Sequence, residues 1–428
     1  MAVLTSMYSS VTGLKSHGQA LSVVADNIAN ASTNGFKASR AEFQDLLSRS
    51  LKGAFGGNQI GRGAKLGAVN PILTQGNVDN TERVTDVAIN GSGYFVVDGY
   101  DGRAYTRNGE FHFDKEGYLV TSDNYKVKGF EANPTGEITN KLESIRLPSA
   151  LVQAKPSKTL RMDINLDSRA PKGKVFNPQD PYESADFTTG VEVYDSQGAK
   201  HLITLAFNKA ADGVWEYRGL ANGAEVQGGL PGQYQQVIHG RLTFNQQGLL
   251  NTEEILEKNF SFNNGAAANQ DIVLDFGDSI TTDGGTGLKG SKQYGAKSDL
   301  MSWSQDGASA GRLTGLSFDD MGVLTALYSN GETSDMYQLA LAKFQSPEGL
   351  FKSGSNKMRE SRESGAAALG KPTDGGRGQV FAKSIEKSTT DIAKEFVNMI
   401  QYQRNFQANA KGISTADEML AEVINIKR

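Results

Sequence analysis

Both ends of the chain carry apolar residues at the three- and four-residue spacing of an α-helix. At the N-terminal end, this spacing is followed by Leu4, Met7, Val11, Leu14, Leu21 and Ile28, with Gly18 and Ala25 as small members. Alternation of threes and fours is typical of the seam between paired helices. The remaining faces carry Ser, Thr, Gln and Asn, which favours a helix surrounded by other helices. We therefore predict an N-terminal assembly helix over residues 1–33, with an ordinary amphipathic helix on its own domain as the alternative.

The C-terminal end has the same pattern over a longer stretch. Its apolar positions are Ile385, Ile392, Phe396, Met399, Phe406, Ile413, Leu420 and Ile424. The spacing predicts a helix from Ser384 to Lys427 within a C-terminal assembly segment, 381–428. A helix of that length exceeds a compact domain, so it must project or pair. The N-terminal helix is the natural partner, with neighbouring copies around both. A simple intramolecular hairpin explains the pairing but not the uncharged outer faces.

Between the two ends, short β-branched or aromatic runs alternate with Gly, Asn and Asp turns from about Gly76 to Phe344. Turns that recur every 8–12 residues or so are typical of antiparallel sandwiches and barrels. The predicted fold class is therefore α+β. Long coiled-coil-like terminal helices pack together, and two mainly antiparallel β domains follow, one inserted in the other. The predicted segments are a Gly-rich linker over 34–70, an outer β domain over 71–147 plus 289–353, an inserted β domain over 148–288 and a second linker over 354–380.

One short motif occurs three times in the β region. It reads Phe-(Asp/Asn)-x-x-Gly-x-Leu and starts at Phe113, Phe244 and Phe318. Asp and Asn can accept hydrogen bonds from their own turn, and Gly tolerates a positive φ before the next strand. We predict three β-hairpins whose Phe and Leu side chains face a core. A Ca²⁺ loop is the alternative, but it requires a denser set of carboxylates.

Composition narrows the possible functions. The chain has 428 residues, 49 of them Gly and none Cys, and its formal net charge is −4. The absence of Cys excludes disulfides and thiolate metal sites. The near-neutral balance argues against nucleic acid or a membrane as a partner. No nucleophile, acid–base or phosphate-binding motif is present, so we expect no enzyme, no catalytic or metal site and no cofactor. No cleavable secretory signal is recognisable, so we expect either a cytosolic protein or export that reads an uncleaved N-terminus.

Three stretches, in order, resemble the axial proteins of the bacterial flagellum, a family of rod and hook components. The N-terminal match lies in 25–37 and comprises Asn27, Ile28, Ala29, Asn30, Thr33, Asn34, Gly35, Phe36 and Lys37. A second match covers 93–97, 105–111 and 117–120. The C-terminal match lies in 400–411 and 415–420 and includes Gln403, Arg404, Gln407, Ala408, Asn409 and Ala410.

The resemblance implies a helical tube of many copies of this chain, located outside the cell and exported through the flagellar type III apparatus without a cleaved signal peptide. The chain length and the inserted β domain favour the hook branch of the family, a flexible universal joint that transmits motor torque to the filament. The distal rod branch, a stiff drive shaft, is the alternative. The implied partners are the distal rod protein, the hook cap and the hook–filament junction proteins. The Gly-rich segments 53–67 and 354–378 are expected to provide flexibility during bending.

Overall fold

The structure is a computed structural model that describes residues 2–46, 49–50, 59–133, 136–148 and 150–426. Its α-helices are α1 (Ala2–Ala29), α2 (Pro181–Ser184) and α3 (Ile392–Ile426). The first strands are β1 (Ser39–Asp45), β2 (Arg49–Ser50), β3 (Gln59–Ile60), β4 (Ala64–Pro71), β5 (Val78–Asn80), β6 (Val87–Asn90), β7 (Tyr94–Gly99), β8 (Gly102–Thr106), β9 (His112–Phe113), β10 (Leu119–Val120), β11 (Lys126–Ala132) and β12 (Ile138–Ser144).

The middle strands are β13 (Leu151–Val152), β14 (Thr159–Asp167), β15 (Phe187–Tyr194), β16 (Lys200–Ala211), β17 (Val214–Asn222), β18 (Tyr234–Phe244), β19 (Leu250–Lys258), β20 (Val273–Asp275), β21 (Lys292–Tyr294) and β22 (Asp299–Gln305). The last strands are β23 (Gly311–Phe318), β24 (Val323–Tyr328), β25 (Thr333–Leu339), β26 (Leu341–Lys343), β27 (Phe351–Gly354), β28 (Lys357–Arg359), β29 (Ala368–Gly370), β30 (Gln379–Ala382) and β31 (Ser384–Glu386).

The chain divides into two compact units. The first comprises 1–148, 315–326 and 333–428, and the second comprises 149–314 and 327–332. The second unit thus interrupts the first along the chain. Residues 289–314, which we predicted for the outer domain, belong to the second unit. The reason is strand pairing, because β21 runs parallel and β22 antiparallel to β14.

In the first unit, the sheet is built around β7 and β11. β7 pairs with β8, β11 and β26, and β11 also pairs with β10, β12 and β25. Alternate residues of β7 enter separate clusters: Phe95 and Val97 join a core with Phe111, whereas Tyr94 and Val96 pack with other side chains. Side chains of successive strand residues point to opposite faces, so this sheet is covered on both sides. Its hydrophobic run Tyr94–Val97 reflects that burial.

Helix α3 begins later than predicted. Asp391 caps it, since its Oδ1 accepts hydrogen bonds from the backbone N of Ala393 at 3.0 Å and of Lys394 at 3.1 Å. The prediction of a helix from Ser384 was wrong. Ile385 lies in strand β31, which pairs with β5, and its side chain is buried there. The preceding Lys383 has a φ of +50°, which a regular helix does not allow.

The two predicted linkers contain regular structure. In 34–70, β1 and β4 form an antiparallel hairpin, while residues 47–48 and 51–58 lie outside the described residues. In 354–380, β28 pairs with β8, β29 pairs with β26, and β30 pairs with β6. In 354–380, where the Gly and Ser content suggested a flexible segment, backbone hydrogen bonds to distant strands hold the chain in the sheets of the first unit.

The second unit has two sheets around one core. The antiparallel order β15-β16-β17-β18-β19 forms the larger sheet, and β14 with β20, β21 and β22 forms the smaller one. Leu160, Met162, Ile164 and Leu166 alternate along β14 and enter a core with Trp215 and other side chains from the larger sheet. This arrangement accounts for the alternating apolar pattern of β14.

The three repeated motifs form the predicted turns. Their glycines Gly117, Gly248 and Gly322 have φ values of +83°, +76° and +71°. In each turn, Oδ1 of the preceding Asp or Asn accepts two backbone N–H bonds, from residues two and four positions later; these acceptors are Asp114, Asn245 and Asp319. The Leu residues are fully buried and the last two Phe residues nearly so. The predicted turns are confirmed, whereas the first Phe, Phe113, is only half-buried against the core.

Candidate functional site

Helices α1 and α3 pack against each other within the first unit. They approach at small residues. A Cβ on Gly13 would lie 2.6 Å from Oδ1 of Asn409, and one on Gly412 would lie 2.8 Å from Oγ of Ser10. At Gly18, the nearest atom is on the ring of Phe406, at 3.7 Å from such a Cβ. Larger side chains at Gly13 or Gly412 would force the helices or their side chains to shift. The glycines therefore set a close packing of the pair.

The face that α1 buries is not the predicted seam. Its buried positions are Gly13, Ser16, Ala20, Val24 and Asn27. Part of this face meets the β1–β4 hairpin, where the Ser16 hydroxyl donates to the Ala64 carbonyl at 3.1 Å. Among the predicted seam residues, Met7, Leu14, Leu21, Ile28, Met399, Phe406, Ile413 and Leu420 are half-buried, and Leu4, Val11, Ile392, Phe396 and Ile424 are exposed. A single chain thus leaves much of the apolar seam open to solvent.

The exposed apolar residues form a stripe on each helix. On α3 the stripe comprises Ile392, Phe396, Val397 and Ile400, where Val397 is 64% exposed. On α1 it comprises Leu4, Tyr8 and Val11, where Tyr8 is 69% exposed. Single exposed apolar residues are ordinary on protein surfaces. Neighbours separated by three or four helical positions instead form a continuous patch, which marks an interaction surface. We call these two patches the helix stripes.

Three rings connect α1, α3 and the β1–β4 hairpin. The ring centroid of His17 lies 5.2 Å from that of Phe43 and 6.0 Å from that of Tyr402. The Phe43 and Tyr402 rings are 5.9 Å apart. Burial lowers the pKa of His17 because the charged imidazolium is poorly solvated there. The cluster therefore favours a neutral imidazole at the helix pair.

The N-terminal signature joins the end of α1 to the β region. The Asn27 side chain makes two hydrogen bonds to the backbone of Ser39. The helix end is tightened by Asn30, whose backbone N and side-chain amide both donate to the Asp26 carbonyl, and the Thr33 hydroxyl donates to Asn30 Oδ1. Ala29 is exposed and makes no polar side-chain contact. Most of the polar signature residues thus hold a defined turn after the helix.

The second half of the signature contacts the segment before α3. Gly35 has a φ of +70°, and its N donates to the Glu386 carbonyl at 2.7 Å. A Cβ on Gly35 would lie 2.6 Å from the backbone N of Asn108. The Asn34 amide donates to Glu110 Oε1 at 2.8 Å, and the Phe36 carbonyl accepts from the backbone N of Thr389 at 3.1 Å. Only Gly satisfies both the backbone angle and the close approach at position 35.

Lys37 enters a buried ion cluster with Glu386 and Arg107. Lys37 Nζ lies 2.6 Å from Glu386 Oε1, and Arg107 Nε lies 2.9 Å from Glu386 Oε2. The three side chains are at most 5% exposed. The pKa of Lys37 is lowered, first by burial and less by the Arg107 charge, although Glu386 opposes the shift. Sequence reasoning selected Lys37 and included Arg107 only as part of the 105–111 match. It missed their pairing with Glu386, because no local pattern connects positions so far apart in the chain.

The C-terminal signature lies on α3. Gln403, Arg404, Gln407 and Ala408 are exposed, whereas Asn409 and Ala410 are half-buried. Asn409 faces Gly13, and its amide donates to the Asn405 carbonyl at 2.8 Å. The structure therefore brings Asn409 to the helix pair and leaves the other polar members directed to solvent. Their outward face continues the α3 stripe with polar residues.

The part of the chain that the structure describes holds neither a metal-binding cluster nor a membrane-spanning helix. Within it, no set of three or more His, Asp or Glu residues is arranged to hold a metal ion. The described helices also lack a segment long and apolar enough to cross a membrane. The distinctive features of the described first unit are the exposed helix stripes and the buried ion cluster.

Four protein-family models match the chain in order. They are described as the flagella basal body rod protein (residues 7–37), the flagellar hook protein FlgE/F/G D1 domain (88–167), the flagellar basal body protein FlaE D2 domain (165–308) and the flagellar basal body rod FlgEFG protein C-terminal region (382–426). The first and last matches contain the two signatures described above. The D2 match lies entirely within the second unit, and its first three residues overlap the end of the D1 match.

Hook proteins of other bacteria align with this chain over nearly their full lengths. The flagellar hook protein FlgE of Borreliella burgdorferi is 30% identical over 99% of this chain and 100% of its own length. The flagellar hook protein FlgE of Salmonella typhimurium is 31% identical, with 97% of this chain and 98% of the relative covered. The crystal structure of the Helicobacter pylori flagellar hook protein FlgE2 is similar in fold, with a TM-score of 0.53, 14% identity and coverage of 72% of this chain and 100% of that one.

Proposed function

This chain belongs to the flagellar hook protein family, and on that basis we propose that it is the structural subunit of the flagellar hook and polymerises into a helical tube. The family is structural and non-enzymatic. The rod alternative is not favoured, because the hook relatives cover essentially the whole chain, including the D2 segment. The chain therefore contributes to cell motility as a structural component and not by catalysis.

The helix stripes are the observation that supports polymerisation. Phe396, Val397 and Ile400 are each about half or more exposed in the single chain. Burial of apolar surface contributes about 25 cal/mol per Å², so neighbouring helices that cover these side chains would stabilise an assembly. In the assembly, the terminal helices of other copies cover each stripe. Coiled-coil-like packing of this kind uses the heptad positions that the single chain leaves open.

A tube with closely packed terminal helices would resist twisting, while weaker contacts elsewhere would allow it to bend. In this proposal the helices line the inner surface, and the tube acts as a universal joint between motor and filament. The distal rod protein, the hook cap and the hook–filament junction proteins are the proposed partners at the two ends and during assembly. The flagellar type III apparatus is the proposed export route, without cleavage of a signal peptide.

The role of the α3 stripe in polymerisation is tested by a double substitution, Val397→Asp with Ile400→Asp. Two carboxylates on this stripe would oppose helix–helix packing without entering the described core, so we expect a folded monomer that forms no tubes. Val175→Asp, at a position 87% exposed in the second unit, is the matched control and should still polymerise. Electron microscopy of concentrated protein gives the readout, and circular dichroism checks the fold. Normal tubes from the double variant would contradict the role of the stripe.

A further inference from the structure

A cavity of about 440 Å³ lies next to the buried ion cluster in the first unit. Its polar lining comes from Lys37, Gln75, Ser92, Tyr94, Arg107 and Lys343. Three of these residues are cationic, and the described lining includes no Asp or Glu. We propose that this cavity binds a small oxyanion, either a carboxylate or a phosphate-sized group.

The charge of the cluster is not balanced by its own residues. Lys37 and Arg107 both pair with the single carboxylate of Glu386, and all three side chains are buried. Counting one charge for each gives an excess of one positive charge. Buried charges are costly unless they are paired. An anion in the adjoining cavity supplies the missing negative charge.

The side chains of Arg107 and Lys37 also have N–H donors that no acceptor in the cluster uses. Arg107 Nη1 donates to the carbonyls of Gly91 and Gly93 at 2.9 and 2.8 Å. Its Nε lies within ion-pair distance of Glu386. The contact does not have the geometry of a hydrogen bond, so this buried N–H has no hydrogen-bond acceptor among the described residues. Lys37 Nζ uses two acceptors, Glu386 and the Thr74 carbonyl, although an ammonium has three N–H donors.

Tyr94 and Lys343 complete a donor-rich wall. Tyr94 is 7% exposed, and burial raises the pKa of its phenol, so the hydroxyl stays protonated and can donate. Lys343 Nζ is 3.3 Å from the Gly375 carbonyl, a long and weak contact that leaves most of its donor capacity. Charge-assisted hydrogen bonds from such groups to an oxyanion are the stronger class of hydrogen bond.

Two sources share this ligand chemistry. One is a free anion from solution, and the other is an Asp or Glu side chain of a second copy of this chain. The second source rests on the proposed polymer, but oxyanion binding by the single chain does not. The two are separated by measuring the monomer first and the assembled tubes afterwards.

The probe is inorganic phosphate, measured with the full-length monomer by isothermal titration calorimetry and by thermal unfolding in NaCl of matched ionic strength. We expect saturable binding and a rise in Tm above the NaCl reference. Lys343→Gln and Tyr94→Phe should each weaken phosphate binding roughly tenfold, as loss of a donor to an anion does. Lys141→Gln, at an exposed lysine away from the cavity, should leave it unchanged.

A Tm rise no larger than that in NaCl, or equal binding by Lys343→Gln, Tyr94→Phe and wild type, would overturn the proposal. Folding of each variant is checked by its Tm in NaCl alone. If tubes no longer bind phosphate, a side chain of the neighbouring copy fills the cavity; if they bind it as the monomer does, the ligand is a free anion. A chain that binds phosphate but never forms tubes would refute the polymer and leave the anion site standing.

Discussion

Asn27 and Ser39 are joined by a pair of hydrogen bonds that act as a clasp at the end of α1. Asn27 Nδ2 donates to the Ser39 carbonyl at 2.8 Å, and Asn27 Oδ1 accepts from the Ser39 backbone N at 2.8 Å. The side chain is 1% exposed. A carboxamide presents an N–H donor beside a carbonyl acceptor, so it pairs with the backbone N–H and C=O of one residue. This clasp explains why the signature has Asn at this position.

Asn27→Asp should therefore loosen the N-terminal helix. The change keeps the shape but replaces the donor by a carboxylate that would face the Ser39 carbonyl. We expect a loss of about 2–4 kcal/mol in the free energy of unfolding, typical of a buried polar group left unpaired. Gln19→Glu, the same charge change on the exposed face of α1, is the control. Hydrogen exchange of α1 amides locates the effect, and equal protection in both variants would refute the clasp.

Gly35→Ala tests the turn after the helix. The new Cβ would meet a positive φ and the backbone of Asn108 at 2.6 Å. Gly365→Ala is a matched control, since its φ is +72° and no atom lies within 4 Å of the added Cβ. We expect the free energy of unfolding to fall by about 1 kcal/mol in the control and by clearly more in Gly35→Ala. Urea denaturation measures both losses. Equal losses would mean that the close approach to Asn108 contributes nothing.

The buried ion cluster predicts which of two substitutions lowers the free energy of unfolding more. Glu386→Gln leaves Lys37 and Arg107 buried without a counter-charge, and we expect a loss of about 3–5 kcal/mol. Lys37→Met leaves Glu386 paired with Arg107 one to one, so the loss should be smaller. Urea denaturation of both variants at neutral pH gives the comparison. A larger loss for Lys37→Met would show that our charge count is wrong.

The carboxyl group of Glu253 predicts that the stability of the second unit depends on pH. Its pKa is raised to about 7, first by burial and then by the charges of Asp283 and Asp275, against a hydrogen bond from the Phe276 N. The folded state therefore holds this proton more tightly than the unfolded state, whose value is 4.5. The stabilising contribution is complete below pH 4.5 and is lost as the pH rises through about 7.

Glu253→Gln should remove this pH dependence, because glutamine does not ionise. We expect the variant to have a higher Tm than wild type at pH 8 and to differ little at pH 4.5. Glu254→Gln, at the exposed neighbouring position, should follow the wild-type curve. Thermal unfolding across this pH range measures the effect, and parallel curves for wild type and Glu253→Gln would contradict it.

Local patterns were sufficient for some features and not for others. The turns at Gly117, Gly248 and Gly322 were predictable, because the Asp or Asn acceptor and the Gly lie within a few residues. The helix start was not, because pairing of β31 with β5 overrides the helical spacing at Ile385. The pairing of Lys37 with Glu386 crosses most of the chain and leaves no periodic signal. Buried polar partners of this kind depend on the tertiary fold.

The exposed helix stripes carry the central claim, and the absence of Cys in this chain allows a direct test. In Val397→Cys, the only thiol lies at a position 64% exposed in the single chain. The reaction rate with a maleimide reagent should be measured for the monomer and for sedimented tubes. Fast labelling of the monomer and strong protection in the tubes are the predicted result. Equal labelling rates in both states would contradict the assignment of the α3 stripe as an assembly surface.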